Sequence, residues 1–307
     1  MVGADPVINY RIIMFKNLFA GLILLVVATG CSNKNIDVDV NKELIPVRVL
    51  VDGFNVTQEE LPSTRAAQDV ADYSGVKVIT LAFYDVNGTE VYKANQTKDD
   101  ASTYTTFGEF TCNLAMGSYT MVVVARGNKD GDVFTLTSPT EAAYTGEFAR
   151  ETFASTRSVN VSSGTPLSLT VTLNRIMAKL AIQSTDVRPS GVSKLRITYG
   201  AGGKAFNPTT GFATSNTGFT VTNTINSAVG SSIDVGSYVF LTANEQNMNV
   251  TLQLLDDGNS VFFTKVVENV PFKRNRVTVL RGGMFSSPTT STFLVETDWE
   301  ETSTVNF

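Results

Sequence analysis

Residues 163–182 read SGTPLSLTVTLNRIMAKLAI, and within them Leu167, Leu169, Val171 and Leu173 alternate with Ser168, Thr170 and Thr172. Successive side chains of a strand point to opposite faces, so this alternation marks a strand with one face in a core and one in water. The run breaks at Asn174-Arg175 and resumes as a second apolar stretch, Ala178–Gln183. Two strands meeting at a short polar corner, with no helical spacing between them, set the expectation for the whole chain: all-β.

The same signal recurs on both sides. Ile45, Val47, Val49 and Val51 alternate with Pro46, Arg48, Leu50 and Asp52, a half-buried strand with a proline near its start. Val76–Tyr84 is apolar on both faces, as a central strand would be, and runs into Asp85-Val86-Asn87-Gly88, where Asn-Gly suits a tight hairpin turn. Met121–Ala125 is a second continuous apolar run. Later candidates are Leu195–Tyr199, Phe219–Val221, Tyr238–Thr242, Met248–Leu255, Val261–Val267 and Arg276–Leu280, with Asp256-Asp257-Gly258-Asn259 turning between two of them. Thr and Val together make up 76 of the 307 residues, and β-branched types suit a pleated, half-buried surface. The expected architecture is two stacked β-sandwiches of transthyretin or immunoglobulin type, over 45–175 and 176–307.

Composition narrows the chemistry. The net charge of −5 gives no basic stripe for nucleic acid. With no histidine, every Ser-His-Asp or Cys-His catalytic arrangement and every His-containing metal site is excluded. Asn128-Lys129-Asp130-Gly131-Asp132 has spaced oxygen ligands but lacks the spacing of a calcium loop, and reads as a hairpin turn. Gly200-Ala201-Gly202-Gly203-Lys204 lacks the spacing of a phosphate loop and reads as a flexible loop. Asn-x-Ser/Thr triplets at Asn55, Asn87, Asn95, Asn160 and Asn249 are the chance yield of a Thr-rich chain. Trp299, the single tryptophan, reads as a packing anchor at a strand end or, alternatively, as a sugar-stacking platform. No catalytic residue, metal site or cofactor is expected.

The amino terminus carries a separate message. Met14–Cys31 reads MFKNLFAGLILLVVATGC: one lysine, an apolar stretch from Leu18 to Val27, then small residues before a cysteine. This is the layout of a secretory signal, too short to span a bilayer as a helix. A small residue before a lone cysteine resembles the lipobox of bacterial lipoproteins, in which Cys31 is diacylated and becomes the new amino terminus. Residues 1–30 are then a signal peptide whose true start is Met14, and 31–44 a lipidated polar tether. Cys112, left without a disulfide partner, reads as a small buried hydrophobe.

Several segments in order resemble the fimbrillin family, the fimbrial subunits of Bacteroidales. They are the lipoprotein signal; IPVRVLVDGF at 45–54, followed by a polar segment ending in Ser63-Thr64-Arg65-Ala66-Ala67; VKVITLAFYDVNG at 76–88; SGTPLSLTVTLNRIMAKLAI at 163–182; VPFKRNRVTV at 270–279; and the terminal pair STFLVETDW at 291–299 and TSTVNF at 302–307. The resemblance implies two β-sandwiches exported as a lipoprotein to the outer membrane, then cut by an arginine-specific protease after the first strand. The cut would fall between Arg65 and Ala66 and free strand 45–52, with Val47, Val49 and Val51 leaving the core. A donor strand from the terminal region 291–307 of another fimbrial subunit, with Phe293 and Val295 on one face, would fill the groove. The product would be an adhesive cell-surface fimbrium. The alternatives are an anchor or tip subunit of such fimbriae, uncut and keeping strand 45–52, or a carbohydrate-binding surface lipoprotein.

Overall fold

Strand follows strand because β-branched residues alternate with polar ones between Gly-, Asn- and Asp-bearing turns. The structure, a computed structural model, describes residues 43–55, 70, 72–285 and the backbone of 294–297. The strands are β1 (Leu44–Asn55), β2 (Val78–Tyr84), β3 (Glu90–Thr97), β4 (Glu109–Ala115), β5 (Gly117–Arg126), β6 (Phe134–Ser138), β7 (Glu141–Tyr144), β8 (Thr152–Val161) and β9 (Leu167–Arg175). They continue as β10 (Ala178–Ser184), β11 (Lys194–Tyr199), β12 (Ala205–Phe206), β13 (Phe219–Thr224), β14 (Asp234–Val239), β15 (Glu245–Leu255), β16 (Val261–Lys273), β17 (Val277–Gly282) and β18 (Leu294–Thr297). The one helical piece among the described residues is a three-residue 3-10 turn at Ala101–Thr103. The chain is all-β, as expected.

A seven-stranded sheet runs β3-β2-β5-β8-β9-β1-β4. Its middle is thin: β8 and β9 share only the pairs Phe153↔Arg175 and Ala154↔Asn174. The parts on either side fold over a common core that includes Val49, Phe54, Leu81, Met121, Phe153 and Leu173. After Arg175, two four-stranded sheets, β14-β10-β17-β18 and β13-β11-β15-β16, enclose a second core built on Leu180, Ile182, Leu195, Ile197, Leu252 and Phe272.

Both sandwiches place their first strand the same way. β1 is antiparallel to β4 and parallel to the late strand β9, and β10 is antiparallel to β14 and parallel to the late strand β17. β10 follows β9 after only Ile176-Met177, whereas β1 is joined to β2 through residues 56–77, which include Arg65.

A smaller sheet, β12-β7-β6, combines strands from before and after Arg175. It covers the outer face of β2 and β5, where Tyr84, Val122 and Val124 meet Leu136, Tyr144, Phe206 and Phe240. Phe206 and Phe240 stack at 4.4 Å. This cover explains why every residue of β2 is buried, the two-faced apolar pattern expected for Val76–Tyr84.

The turns agree with the sequence in two cases and correct it in two. At Asp85–Thr89, the Asp85 carboxylate accepts from the amides of Asn87 (2.8 Å) and Thr89 (2.9 Å), and Gly88 takes φ +78°. Asp256–Asn259 closes the β15–β16 hairpin with Asn259 at φ +68°. Asn128–Asp132 is not a hairpin: it carries the chain from β5 to β6, which lies in another sheet. Asp132 holds this crossing by a bidentate pair with Arg150, 2.6 Å to each nitrogen, and by accepting from the Lys129 amide at 2.8 Å. Burial alone would raise the Asp132 carboxyl; the hydrogen bonds from Arg150 and the Lys129 amide outweigh it and hold the group below the usual carboxylate range.

Gly200–Lys204 is not a loose loop either. Gly203 exchanges backbone hydrogen bonds with Phe240, and Lys204 donates to the Gly146 carbonyl. Gly202 sits at φ +70°, where a Cβ would lie 2.7 Å from the Phe240 carbonyl oxygen, so the glycine is needed for close approach of two backbones. β3, β4, β6, β7, β8 and β12 have no counterpart among the strands read from the sequence: most are short or rich in polar residues, and β4 alternates over only three inward residues, Phe110, Cys112 and Leu114.

Candidate functional site: the slot of the first strand

β1 occupies a slot between β4 and β9. Its register opposes Val47 to Cys112 and Val49 to Phe110 on β4, and Val47 to Leu167, Val49 to Leu169 and Val51 to Val171 on β9. Ile45, Val47, Val49 and Val51 are each 1–2% exposed, so the alternation read from the sequence is the one that faces the core. Each such side chain contributes about 1.5–3 kcal/mol by leaving water. The outward residues bind the slot's rim. Arg48 donates to Glu109 at 2.6 Å and holds its carboxyl below the usual range. Asn55 donates to the Asn174 side chain at 2.7 Å.

The lower end of the slot departs from period two. Val51 faces Val171 and Gly53 faces Thr172, so Asp52 is an extra residue, a β-bulge on β1. Its carboxylate accepts from the Thr172 hydroxyl at 2.8 Å. The bulge shifts the phase of the strand and turns Phe54 into the core, fully buried. The displaced strand expected from the sequence ends at residue 52 and does not count Phe54 among its core residues; the Asp-Gly pair just before it is the signal that could have found it.

Phe54 ends in an aromatic cluster. Its ring lies 4.8 Å from that of Phe153 and 5.4 Å from that of Tyr73, and Tyr73 meets Phe153 edge-on at 5.4 Å. The Arg175 guanidinium stands 4.9 Å from the centre of the Phe153 ring. Arg175 donates to Glu151 at 2.8 Å, to the Tyr73 hydroxyl at 2.8 Å and to the Asn275 side chain at 2.9 Å. Tyr73 donates to the same Glu151 carboxylate at 2.5 Å, and burial, reinforced by that charge, raises its hydroxyl well above the ordinary tyrosine range. The strand's end, the chain just beyond Arg65 and the corner between the two sandwiches therefore meet at one ion pair.

Cys112 lies on the core side of β4 against β1, and burial pushes its thiol up to about 11. In a chain with Cys31→Ser, Cys112 is expected to ignore a disulfide-exchange reagent at about pH 8 while β1 is seated, and to react fully once the chain unfolds or β1 leaves. Immediate reaction of the native chain would contradict this placement.

Cys31, Arg65, Ala66, Phe293 and Trp299 lie outside the described residues. Val295 lies in β18, whose backbone pairs it with Leu280 of β17. Among the described residues no cluster of acidic or sulfur ligands could hold a metal ion, and no helix is long and apolar enough to cross a membrane.

Two β-sandwiches, the first with a buried leading strand parallel to its last, define an all-β sandwich protein. The chain belongs to the DUF6562 family, a family of unknown function whose model matches residues 51–306. Among curated proteins none is significantly similar to it. A candidate adhesin from Bacteroides ovatus has a similar fold, with TM-score 0.50 and 10% identity over 84% of this chain and 98% of that one. The fimbrial anchor protein Mfa2 from Porphyromonas gingivalis aligns with TM-score 0.48 and 12% identity over 83% of this chain and 97% of that one. The tip fimbrial protein Mfa3 of the same organism, truncated at its C-terminus, aligns with TM-score 0.42 and 14% identity over 84% of this chain and 100% of that one. The fimbrillin-like fold expected from the sequence agrees with the Bacteroides ovatus structure.

Proposed function

We propose that this protein is a structural subunit of a cell-surface fimbrium that serves adhesion, with a binding slot rather than a catalytic site as its working part. It is exported as a lipoprotein anchored in the outer membrane through Cys31. A protease then cuts between Arg65 and Ala66, β1 leaves, and a strand from another fimbrial subunit takes its place. The observation that carries this reading is β1 itself. Five core residues (Ile45, Val47, Val49, Val51 and Phe54) sit on one strand inserted between β4 and β9, and one break before β2 would detach it from them. The fold shared with the Bacteroides ovatus candidate adhesin supports a place at the cell surface. Retaining β1 until assembly keeps an open apolar edge from pairing with the wrong strand.

One observation favours a second reading. β18 pairs with β17 of its own chain, so the candidate donor region is engaged at home, as suits an anchor or tip subunit that stays uncut. The amino terminus of protein sheared from its native cells separates the two. A chain beginning at Ala66, running as heat-dissociable multimers, is the expected result for an exchanged subunit. A chain still beginning at lipidated Cys31 and never forming multimers would sink strand exchange and leave the anchor reading.

A further inference from the structure

The slot's lower end says which residue of an incoming strand would anchor it, an inference that rests on the strand-exchange reading above. The places of Ile45, Val47, Val49 and Val51 are aliphatic. The place of Phe54 is aromatic, walled by Phe153 and Tyr73, with the Arg175 guanidinium over the Phe153 ring. β1 reaches that place only through its bulge: from Val51 to Phe54 it takes three steps, while β9 takes two, from Val171 to Leu173. A regular strand lying in the same ladder would bring there the residue two beyond the one at Val51. It would need inward side chains at every second position, with an aromatic one last.

The terminal segment STFLVETDWE, 291–300, carries that spacing in Phe293, Val295, Thr297 and Trp299. We infer that Trp299 of a second copy fills the Phe54 place and fixes the donor's register. Phe293, Val295 and Thr297 then stand where Val47, Val49 and Val51 stood, and the donor runs in the direction of the displaced β1. Trp offers a large aromatic face to pack against the Phe153 and Tyr73 rings that wall this place. Neighbouring registers fail on chemistry. A shift by two in one direction seats Thr297 in the aromatic place, and a shift by two in the other seats Glu301 there. Insertion in the opposite direction with Phe293 in the aromatic place sends the bulkier Trp299, in place of Phe293, to the valine position against Cys112. Releasing the donor costs little order, since β18 is a sheet-edge strand held by four residue pairs against the twelve residues of β1.

The test uses the full chain cut within residues 56–69, both pieces retained, in mild denaturant that speeds exchange. Synthetic peptides spanning 44–55, 291–301 and 291–301 with Trp299→Ala compete for the slot. Because Trp299 is the single tryptophan, a Trp299→Phe host leaves the peptide's indole as the sole reporter. The 291–301 peptide is expected to displace β1, with its emission shifting to the blue and becoming shielded from acrylamide. Trp299→Ala should weaken it by roughly a hundredfold or more, the loss typical of emptying a buried aromatic site. If 44–55 exchanges while 291–301 does not, if Trp299→Ala binds equally well, or if the indole stays exposed, the Trp299 assignment falls and the slot reading stands. If neither 44–55 nor 291–301 exchanges, β1 is a fixed core strand and both fall.

Discussion

Replacing Arg175 with alanine is expected to lower the unfolding free energy by about 3–5 kcal/mol, the usual cost of removing one partner of a buried ion pair. Its side chain is 1% exposed and that of Glu151 10%, so water cannot take over the lost interactions. The variant leaves the Glu151 carboxylate buried with the Tyr73 hydroxyl as its remaining hydrogen-bond partner, and takes the guanidinium from Asn275. Most of the loss comes from the stranded charge rather than from the bond itself. The double variant Arg175→Met with Glu151→Gln is therefore expected to recover a substantial part of it. Chemical denaturation of the single and double variants reads both effects. Equal destabilisation of the two would mean that packing, not charge, dominates the corner.

Replacing Phe54 with alanine is expected to cost about 3–5 kcal/mol as well, by transfer and by the cavity left among Phe153 and Tyr73. The effect should exceed that of Val49→Ala on the same strand, because the larger ring fills more of the core. Phe54→Trp is expected to cost less than Phe54→Ala, since the Phe153 and Tyr73 rings that wall the place favour another aromatic ring. Urea midpoints rank the three, and the reactivity of Cys112 in a Cys31→Ser background reports whether β1 loosens before the rest unfolds. A Phe54→Ala chain as stable as wild type would remove the basis for treating this place as the slot's anchor.

These two residues also mark how far the sequence could be read. The alternation at 45–51 and 167–173 identified two strands and their inward faces, because a period of two is imposed by the backbone of any strand. It could not identify Phe54, whose direction depends on a bulge: one extra residue, Asp52, measured against a partner more than a hundred residues away. Asn174-Arg175 was visible as a corner between strands. Its role as a buried junction was not, since Tyr73, Glu151 and Asn275 come to it from three separate segments.

The turns divide in the same way. Asn87-Gly88 and Asp256–Asn259 were legible because positive φ and local side-chain caps are settled within four or five residues. Asn128–Asp132 was misread as a hairpin because its sequence fits a turn of either kind. Whether the strands it joins pair with each other is decided by the sheets that receive them. Gly200–Lys204 looked loose for the same reason: its glycines serve close contact with Phe240, a residue far along the chain.

By itself, then, the sequence determined the all-β class, most of the strands and the inward face of the first, all consequences of backbone periodicity and local turn chemistry. Tertiary structure alone decided that this strand lies between β4 and β9, that a bulge turns Phe54 inward, and that its ring packs on Tyr73 and Phe153, the residues that contact the Arg175–Glu151 pair. Strand order, register and the pairing of buried charges depend on which distant segments meet, and local pattern carries no record of that.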